Sequence, residues 1–456
     1  MSDNHYISIL LNLKEKNITF DKILEENIKG TVNLVIYGKL INKPNNCPCC
    51  GSSKINIHGY KVSTIKLMPI SGFNALLKLN KQRYKCKKCN KTFIAKTNIV
   101  KSNCFISNNV KYGVALKASK KISQKDIASD FNISHNTVNR IINSFFEKYK
   151  VNYKHLPEVL CFDEFKSTKD ADGAMSFIYC DAKNHKIIDI VENRQLKYLK
   201  KYFSRYPKNV RNKVKYIVMD MYKPYISLVK EIFPKAKIIM DKFHIVNNLS
   251  RALNKARIKL MNKDKKLYKK LKRYYKYLLK NRSSLDCVHF HKYVCFNKMM
   301  SQLDVVDYLL EQDEVLKNTY FLYQNLLSSI KHNNEKRFIN LLDKEYENIS
   351  EYMETSLNTA RDYKDYILNA LKYGYTNGVI EGINNKIKAI KRIAFGYRSF
   401  FNFRNRILIM NDLVNIKWEC IISHTFPKNL CFSSKPHHLV KNHKCVPFLV
   451  ILYNLN

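Results

Sequence analysis

This 456-residue sequence predicts a multidomain α/β protein, and three observations predict it. Two Cys-x-x-Cys knuckles lie near the N-terminus. A pair of short amphipathic helices follows. Three strand-like runs joined by short turns then give way to alternating helices and strands. In order, these read as a zinc ribbon, a helix-turn-helix and a ribonuclease-H-like mixed sheet that carries a large all-helical insertion.

Lys and Arg number 81 against 37 Asp and Glu, a net charge of +44. An excess spread over the whole chain calls for a polyanion partner, most simply double-stranded DNA. Genome bias toward lysine adds lysines but does not remove acids. At 45% hydrophobic residues the chain is globular rather than disordered. The late apolar run at 446–453 is too short to span a bilayer, and residues 6–11 lack a basic leader and a cleavage site. These exclude a membrane protein and place the expected protein in the cytoplasm. Thirteen cysteines, an odd number, argue there for metal or burial over a disulfide framework.

Residues 1–98 make the N-terminal region, with a short helix and a strand near 32–37. Cys47-Pro48-Cys49-Cys50 and Cys86-Lys87-Lys88-Cys89 supply thiolates for a tetrahedral structural zinc, and Cys47, Cys50, Cys86 and Cys89 have the usual spacing. Cys49 stays ambiguous. The β-rich segment between the knuckles alternates through Ile55, Ile57, Tyr60 and Val62.

Residues 105–150 carry the helix-turn-helix. Ser123 and Asp126 open one helix, with Ile127, Ala128 and Phe131 inward. Asn132 sits where a left-handed turn belongs. Ser134 caps a second helix that buries Val138, Ile141, Ile142 and Phe145. Its exposed opening residues Asn136, Asn139 and Arg140 are those a recognition helix presents to base edges. An ordinary helical hairpin is the blander reading.

The first part of the sheet domain spans 156–250. Strands are expected at 158–163, 174–181, 186–191, 214–219 and 237–240, with a helix at 195–204 and another after Pro224. The run Tyr216–Met219 is apolar without alternation, as in a strand buried on both faces, and it ends in Asp220. A second run, Val159–Phe162, ends in Asp163, and the two strands should lie side by side. Asp220 taken alone reads more readily as a helix cap, and Asp163 and Glu381 are what turn the reading toward chemistry. Residues 251–373 lose all strand signals and form the helical insertion. The second part of the sheet domain, 374–417, begins with a helix capped by Asn377 or Thr376. It buries Ile380, Ile383, Ile387 and Ile390 and aligns Glu381 with Asn384, Asn385 and Lys388. A basic-aromatic stretch follows Gly396, and Lys388, Arg398 and Arg404 are expected DNA contacts. Residues 418–456 form a tail with no assignable structure.

These blocks together resemble the DDE transposases of bacterial insertion sequences, most closely the ISL-three type. The resemblance runs from Cys47 to Ile416. It rests on the two Cys knuckles, Phe162-Asp163-Glu164, Met219-Asp220-Met221, Asp241-Lys242-Phe243-His244 and the stretch Asn377–Lys386. It implies that Asp163, Asp220 and Glu381 are catalytic carboxylates binding Mg²⁺ (or Mn²⁺). It also implies that the N-terminal domains recognise terminal inverted repeats, and that a homodimer or higher oligomer synapses two ends and a target DNA. Asp241 and His244 are accessory candidates. Glu164 is set aside, because strand alternation turns it to the opposite face from Asp163. A non-enzymatic DNA-binding regulator accounts for residues 47–149 but leaves the strand-end aspartates idle. A structure-specific nuclease needs no sequence-reading module. An inactive transposase copy is the remaining alternative.

Overall fold

The computed structural model describes residues 3–15, 17–42, 44–146 and 151–411. The expected tail at 418–456 lies outside them. No described helix is long and apolar enough to cross a membrane.

The N-terminal region is a five-stranded sheet of β1 (Ile18–Ile28), β2 (Thr31–Leu40), β3 (Ile55–Lys66), β4 (Asn74–Cys86) and β5 (Thr92–Ile94). Its order is β1-β2-β4-β3, with β5 also paired to β4. Ile36, Leu40, Ile65, Leu77 and Leu79 close its core. The alternation expected in β3 exists, but it points outward: Ile57, Tyr60 and Val62 are exposed on an edge strand. The strand β1 gave no sequence signal, because its residues are mostly polar and only Ile18 is buried.

Three helices follow, Asn108–Ala118, Gln124–Asp130 and His135–Phe146. The Ser123 hydroxyl accepts the Asp126 N–H and caps the second. Asn132 takes φ 47° and turns the chain, and the Ser134 hydroxyl accepts the Thr137 N–H at the start of the third.

The central sheet comprises β6 (Val159–Lys166), β7 (Met175–Asp181), β8 (Ile187–Val191), β9 (Tyr216–Met219) and β10 (Lys237–Met240), in the order β10-β9-β6-β7-β8. The three strands β10, β9 and β6 are parallel, while β6, β7 and β8 are antiparallel. The strand β6 runs past its expected end. Its pairing with β9 stops at Cys161, but β7 pairs with it as far as Lys166, so Asp163 lies inside the strand.

Each face of this sheet has its own core. Leu160, Phe162, Ile217, Met219, Ile238 and Met240 face one way, into a core shared with the helical insertion. Cys161, Phe165, Val218 and Ile239 face the other way, toward the helices Gly378–Ile393 and Phe400–Met410. That second core also contains Val110, Ile127, Phe131, Val138 and Ile142 of the three-helix unit. The unit expected to stand as its own domain therefore shares a core with the sheet. Arg406 fastens the junction: it is buried and donates to the carbonyls of Lys120 and Ile122 at 3.0 and 2.6 Å. Asn143 exchanges amide hydrogen bonds with Asn402 and Asn405 beside it.

One boundary and one element differ from expectation. The expected break at 250/251 falls inside the helix Lys242–Lys263. The insertion is also not all-helical, because His291–Lys292 and Met299–Met300 pair as a short ribbon. Two-residue strands carry no periodicity to read.

Candidate active site

Strand alternation puts three aspartates on one face of three neighbouring strands. Asp163 follows Cys161 by two, Asp220 follows Val218 by two, and Asp241 follows Ile239 by two, and all three reference residues belong to the second core. They line a cavity of about 370 Å³ together with Phe243, His244, Asn377, Glu381, Asn384, Lys388 and Lys391. Neither strand-end aspartate caps a helix. Asp220 precedes the helix Lys223–Ile232, whose cap position is Tyr222 with no side-chain hydrogen bond. Asp241 occupies the cap position of Lys242–Lys263 without bonding its N–H groups.

The side-chain partners of these carboxylates come instead from Asn384 on the Gly378–Ile393 helix, from Asn377 just before it and from His244. The Asn384 amide donates to Asp163 Oδ2 at 2.6 Å and to the Glu164 carbonyl at 3.3 Å. The Asn377 amide donates to the Phe162 carbonyl at 3.3 Å and to Asp220 Oδ1 at 3.4 Å, while its backbone N–H reaches Asp241 Oδ1 at 3.3 Å. His244 Nε2 is 3.2 Å from Asp220 Oδ1. Asn377 sits just before the helix but leaves its N–H groups uncapped, so the expected capping role gives way to bridging between strands. The sequence marks Asn384 only as a neighbour of Glu381 on the helix face. The signal for both was spacing, since 377, 381 and 384 share one helix face.

Burial pushes Asp163 up to about 7, against the pull of the Glu164 N–H, with the Asp220 charge adding to the rise. Burial likewise pushes Asp220 up to about 7, helped by Asp241 and Glu164 and opposed by the Asn377 amide. Crowded carboxylates held this high are poised to exchange protons for a cation. Asn377 and Asn384 are buried, and the Oδ1 of each has no hydrogen-bond partner. Hard oxygen donors left unsatisfied beside crowded carboxylates fit a divalent ion of the Mg²⁺ class.

Glu381 lines the same cavity but is exposed, and it stands outside the tight group formed by Asp220, Asp241 and His244. Glu164, set aside on strand alternation, also lines the cavity, with its carboxylate engaged by Arg194 and by the Tyr225 hydroxyl, which donates at 2.6 Å.

Of the residues expected to touch DNA, Asn136, Arg140, Lys388 and Arg398 are exposed and Asn139 is half-buried. Arg140 donates to the Thr137 hydroxyl at 3.1 Å, and Asn139 lies 3.4 Å from His135. Arg404 is a correction. Its guanidinium pairs with the buried Asp189 and donates to the Ile190 carbonyl at 3.1 Å, so it holds the helix Phe400–Met410 to β8. A basic-aromatic composition does not reveal which cations have an internal acid waiting for them.

At the other end of the chain, the Sγ atoms of Cys47, Cys50, Cys86 and Cys89 lie within 4.8 Å of one another. Cys47–Cys89 and Cys50–Cys86 are 3.7 and 3.6 Å apart. Four sulfurs each ~2.3 Å from a central zinc would be separated by about 3.8 Å, so the cluster fits a structural zinc. The Cys89 N–H draws Cys86 down to about 6. Cys89 is drawn down by the Lys91 N–H, but burial and the neighbouring thiols push it up to about 12. Four thiolates this close need a cation between them. Cys49 is exposed and outside the cluster, which settles its ambiguity.

Known proteins match this chain over several stretches. The ISL3-type DDE family described as "Transposase" matches residues 160–407. The family described as "zinc-finger of transposase IS204/IS1001/IS1096/IS1165" matches residues 43–89. The transposase for insertion sequence element IS1001 of Bordetella parapertussis is 23% identical over 80% of this chain and 88% of its own length. A protein of Lactococcus lactis subsp. lactis named "ATP-dependent protease" is 39% identical over 110 residues, 24% of this chain. The chain spans only 35% of that relative's length. The solved Drosophila P element transposase strand transfer complex is 11% identical over 68% of this chain and 79% of its own, with a TM-score of 0.22, too loose a likeness to speak for the fold.

Proposed function

Because the chain belongs to the ISL3 family of DDE transposases, we propose that it binds the terminal inverted repeats of its own insertion sequence and carries out metal-dependent DNA strand cleavage and strand transfer. The observation that carries this reading is the common phase of three strands, which turns Asp163, Asp220 and Asp241 into one cavity that also receives Glu381. The strand order, with three antiparallel strands extended by two parallel ones, supports a ribonuclease-H-like sheet. The left-handed turn at Asn132 between two capped helices supports the helix-turn-helix.

In this reading Asp163, Asp220 and Glu381 hold Mg²⁺ or Mn²⁺. Such ions, when bound, activate the attacking oxygen and stabilise the leaving one in an in-line displacement at phosphorus. Asn384 and Asn377 fix the orientation of Asp163 and Asp220 through their amides. Lys388 and Lys391 bring positive charge to the same wall, where a DNA phosphate would approach. Water first frees a 3′-hydroxyl at the element end, and that hydroxyl then attacks target DNA. One phosphodiester replaces another, so no external energy source is required.

The zinc-ribbon region and the three-helix unit serve recognition, with Asn136, Asn139 and Arg140 reading base edges. Two protomers bring two ends together. Purified full-length protein, its own element ends and Mg²⁺ provide the test, scored for strand cleavage and joining. Asp220→Asn and Glu381→Gln should bind ends in a gel shift and fail to cut. Near-normal cutting by both would return the protein to the class of DNA-binding regulators.

A further inference from the structure

The tightest ionisable group in the cavity is not the expected triad. Asp220, Asp241 and His244 each offer a ligand atom within 4.8 Å of the other two. Asp241 is buried, and Asp220 and His244 are partly so. The geometry points to these three residues as one complete cation site, in which the His244 imidazole selects Mn²⁺ over Mg²⁺.

Three features carry this. Asp220 and Asp241 follow directly from adjacent parallel strands in matched register, Met240 opposite Met219, so their carboxylates face one space. The helix Lys242–Lys263 starts immediately after Asp241 and brings His244 round within its first turn, Nε2 toward Asp220. Asn377, 5% exposed, donates its side-chain amide to Asp220 and its backbone N–H to Asp241, and leaves Oδ1 buried without a partner. That oxygen is an unused hard donor beside the cluster. A nitrogen ligand disfavours Mg²⁺, which demands hard oxygens in a strict octahedron, and is accepted by Mn²⁺.

The proposal deepens the reading of the cavity as a metal-dependent nuclease and strand-transfer site. It assigns one cation to Asp220, Asp241 and His244, and leaves Asp163 and Glu381 to another. Among the cavity-lining residues His244 supplies the sole imidazole, which gives the test a signature apart from activity.

The full-length protein is titrated with Mn²⁺ and read by electron paramagnetic resonance, with pulsed detection of ¹⁴N coupling. Wild type should show bound Mn²⁺ with imidazole nitrogen modulation. His244→Ala should abolish the modulation and weaken that Mn²⁺ about tenfold or more, and Asp241→Asn should weaken it similarly. Asp163→Asn should leave the nitrogen signal in place. Far-ultraviolet circular dichroism and melting keep a folding defect apart from a lost ligand, and His244→Gln offers a second, bulk-preserving variant. Mn²⁺ binding without nitrogen coupling, unchanged by His244→Ala and lost with Asp163→Asn, would overturn this site while leaving the general metal reading intact. No Mn²⁺ binding by wild type would overturn both.

Discussion

Replacing Asp220 by Asn should stabilise the metal-free protein at neutral pH while removing its chemistry. Asp220 sits beside Asp241, His244 and Asn377, and burial raises its carboxyl from an ordinary 3.8 to about 7. A carboxyl whose folded pKa is raised binds more protons folded than unfolded between those values, so stability falls as pH climbs from ~4 to ~7 and stays low above. A shift of about 3 units corresponds to about 4 kcal/mol, and allowing for partial solvent access leaves ~2–4 kcal/mol. Asparagine keeps an oxygen for the Asn377 amide and carries no charge, so it escapes that penalty. The assay is thermal melting of wild type and Asp220→Asn in chelator at pH 4 and pH 8. The variant should melt a few degrees higher at pH 8, and the gap should close at pH 4. Added Mn²⁺ or Mg²⁺ should raise the wild-type melt more than the variant's, because the variant has lost one of the carboxylates that would hold the ion. A gap of equal size at both pH values, or none at pH 8, would show that charge burial is not what Asp220 contributes.

The other expectations are brief. Cys86→Ser with Cys89→Ser should release zinc, measured by metal analysis, and unfold residues 1–98, because the cluster's binding energy is also that region's folding energy. Arg140→Ala should weaken binding to the cognate end by about 1–3 kcal/mol and relax one base position, whereas equal loss on random DNA would mark a phosphate contact. Arg404→Ala should destabilise by about 3–5 kcal/mol in denaturant melts by stranding buried Asp189, with little change in the DNA affinity of the folded fraction.

What the sequence made legible were patterns that burial enforces over several residues. The five central strands lie close to their expected positions, because each is an apolar run that must be buried on both faces. The turn at Asn132 was legible because few residues accept its φ of 47°. The zinc cluster was legible because four thiolates at knuckle spacing have few other uses. What stayed hidden depended on pairing in space. The extension of β6 past Asp163 is imposed by β7, whose partner residues carry no mark of it. Arg398 and Arg404 look alike in sequence, yet Asp189, far away in the chain, claims only Arg404. Asn377 resembles a cap because caps are local, while its true partners, the Phe162 carbonyl and Asp220, come from β6 and from the end of β9.

The second core links the parts of the chain that recognition and cleavage would use. Ile380, Ile383, Ile387 and Ile390 pack into it from the helix whose opposite side carries Glu381 and Lys388 toward the cavity. Val138, Ile141 and Ile142 pack into the same core from the helix that exposes Asn136 and Arg140. Phe403 and Ile407 belong to the same core, and Arg406 closes the seam with two hydrogen bonds to backbone. Removing that guanidinium takes one hydrogen bond from each of two half-buried carbonyls and leaves a void where a buried side chain was, a loss of about 2 kcal/mol or more concentrated at the junction. Arg406→Ala should therefore free the three-helix unit from the sheet before either unfolds. Limited proteolysis should then cut near Lys120 at a rate well above wild type, while zinc content stays unchanged. Cleavage spread evenly over the chain would mean that the junction melts with everything else, and that the two parts form one cooperative body.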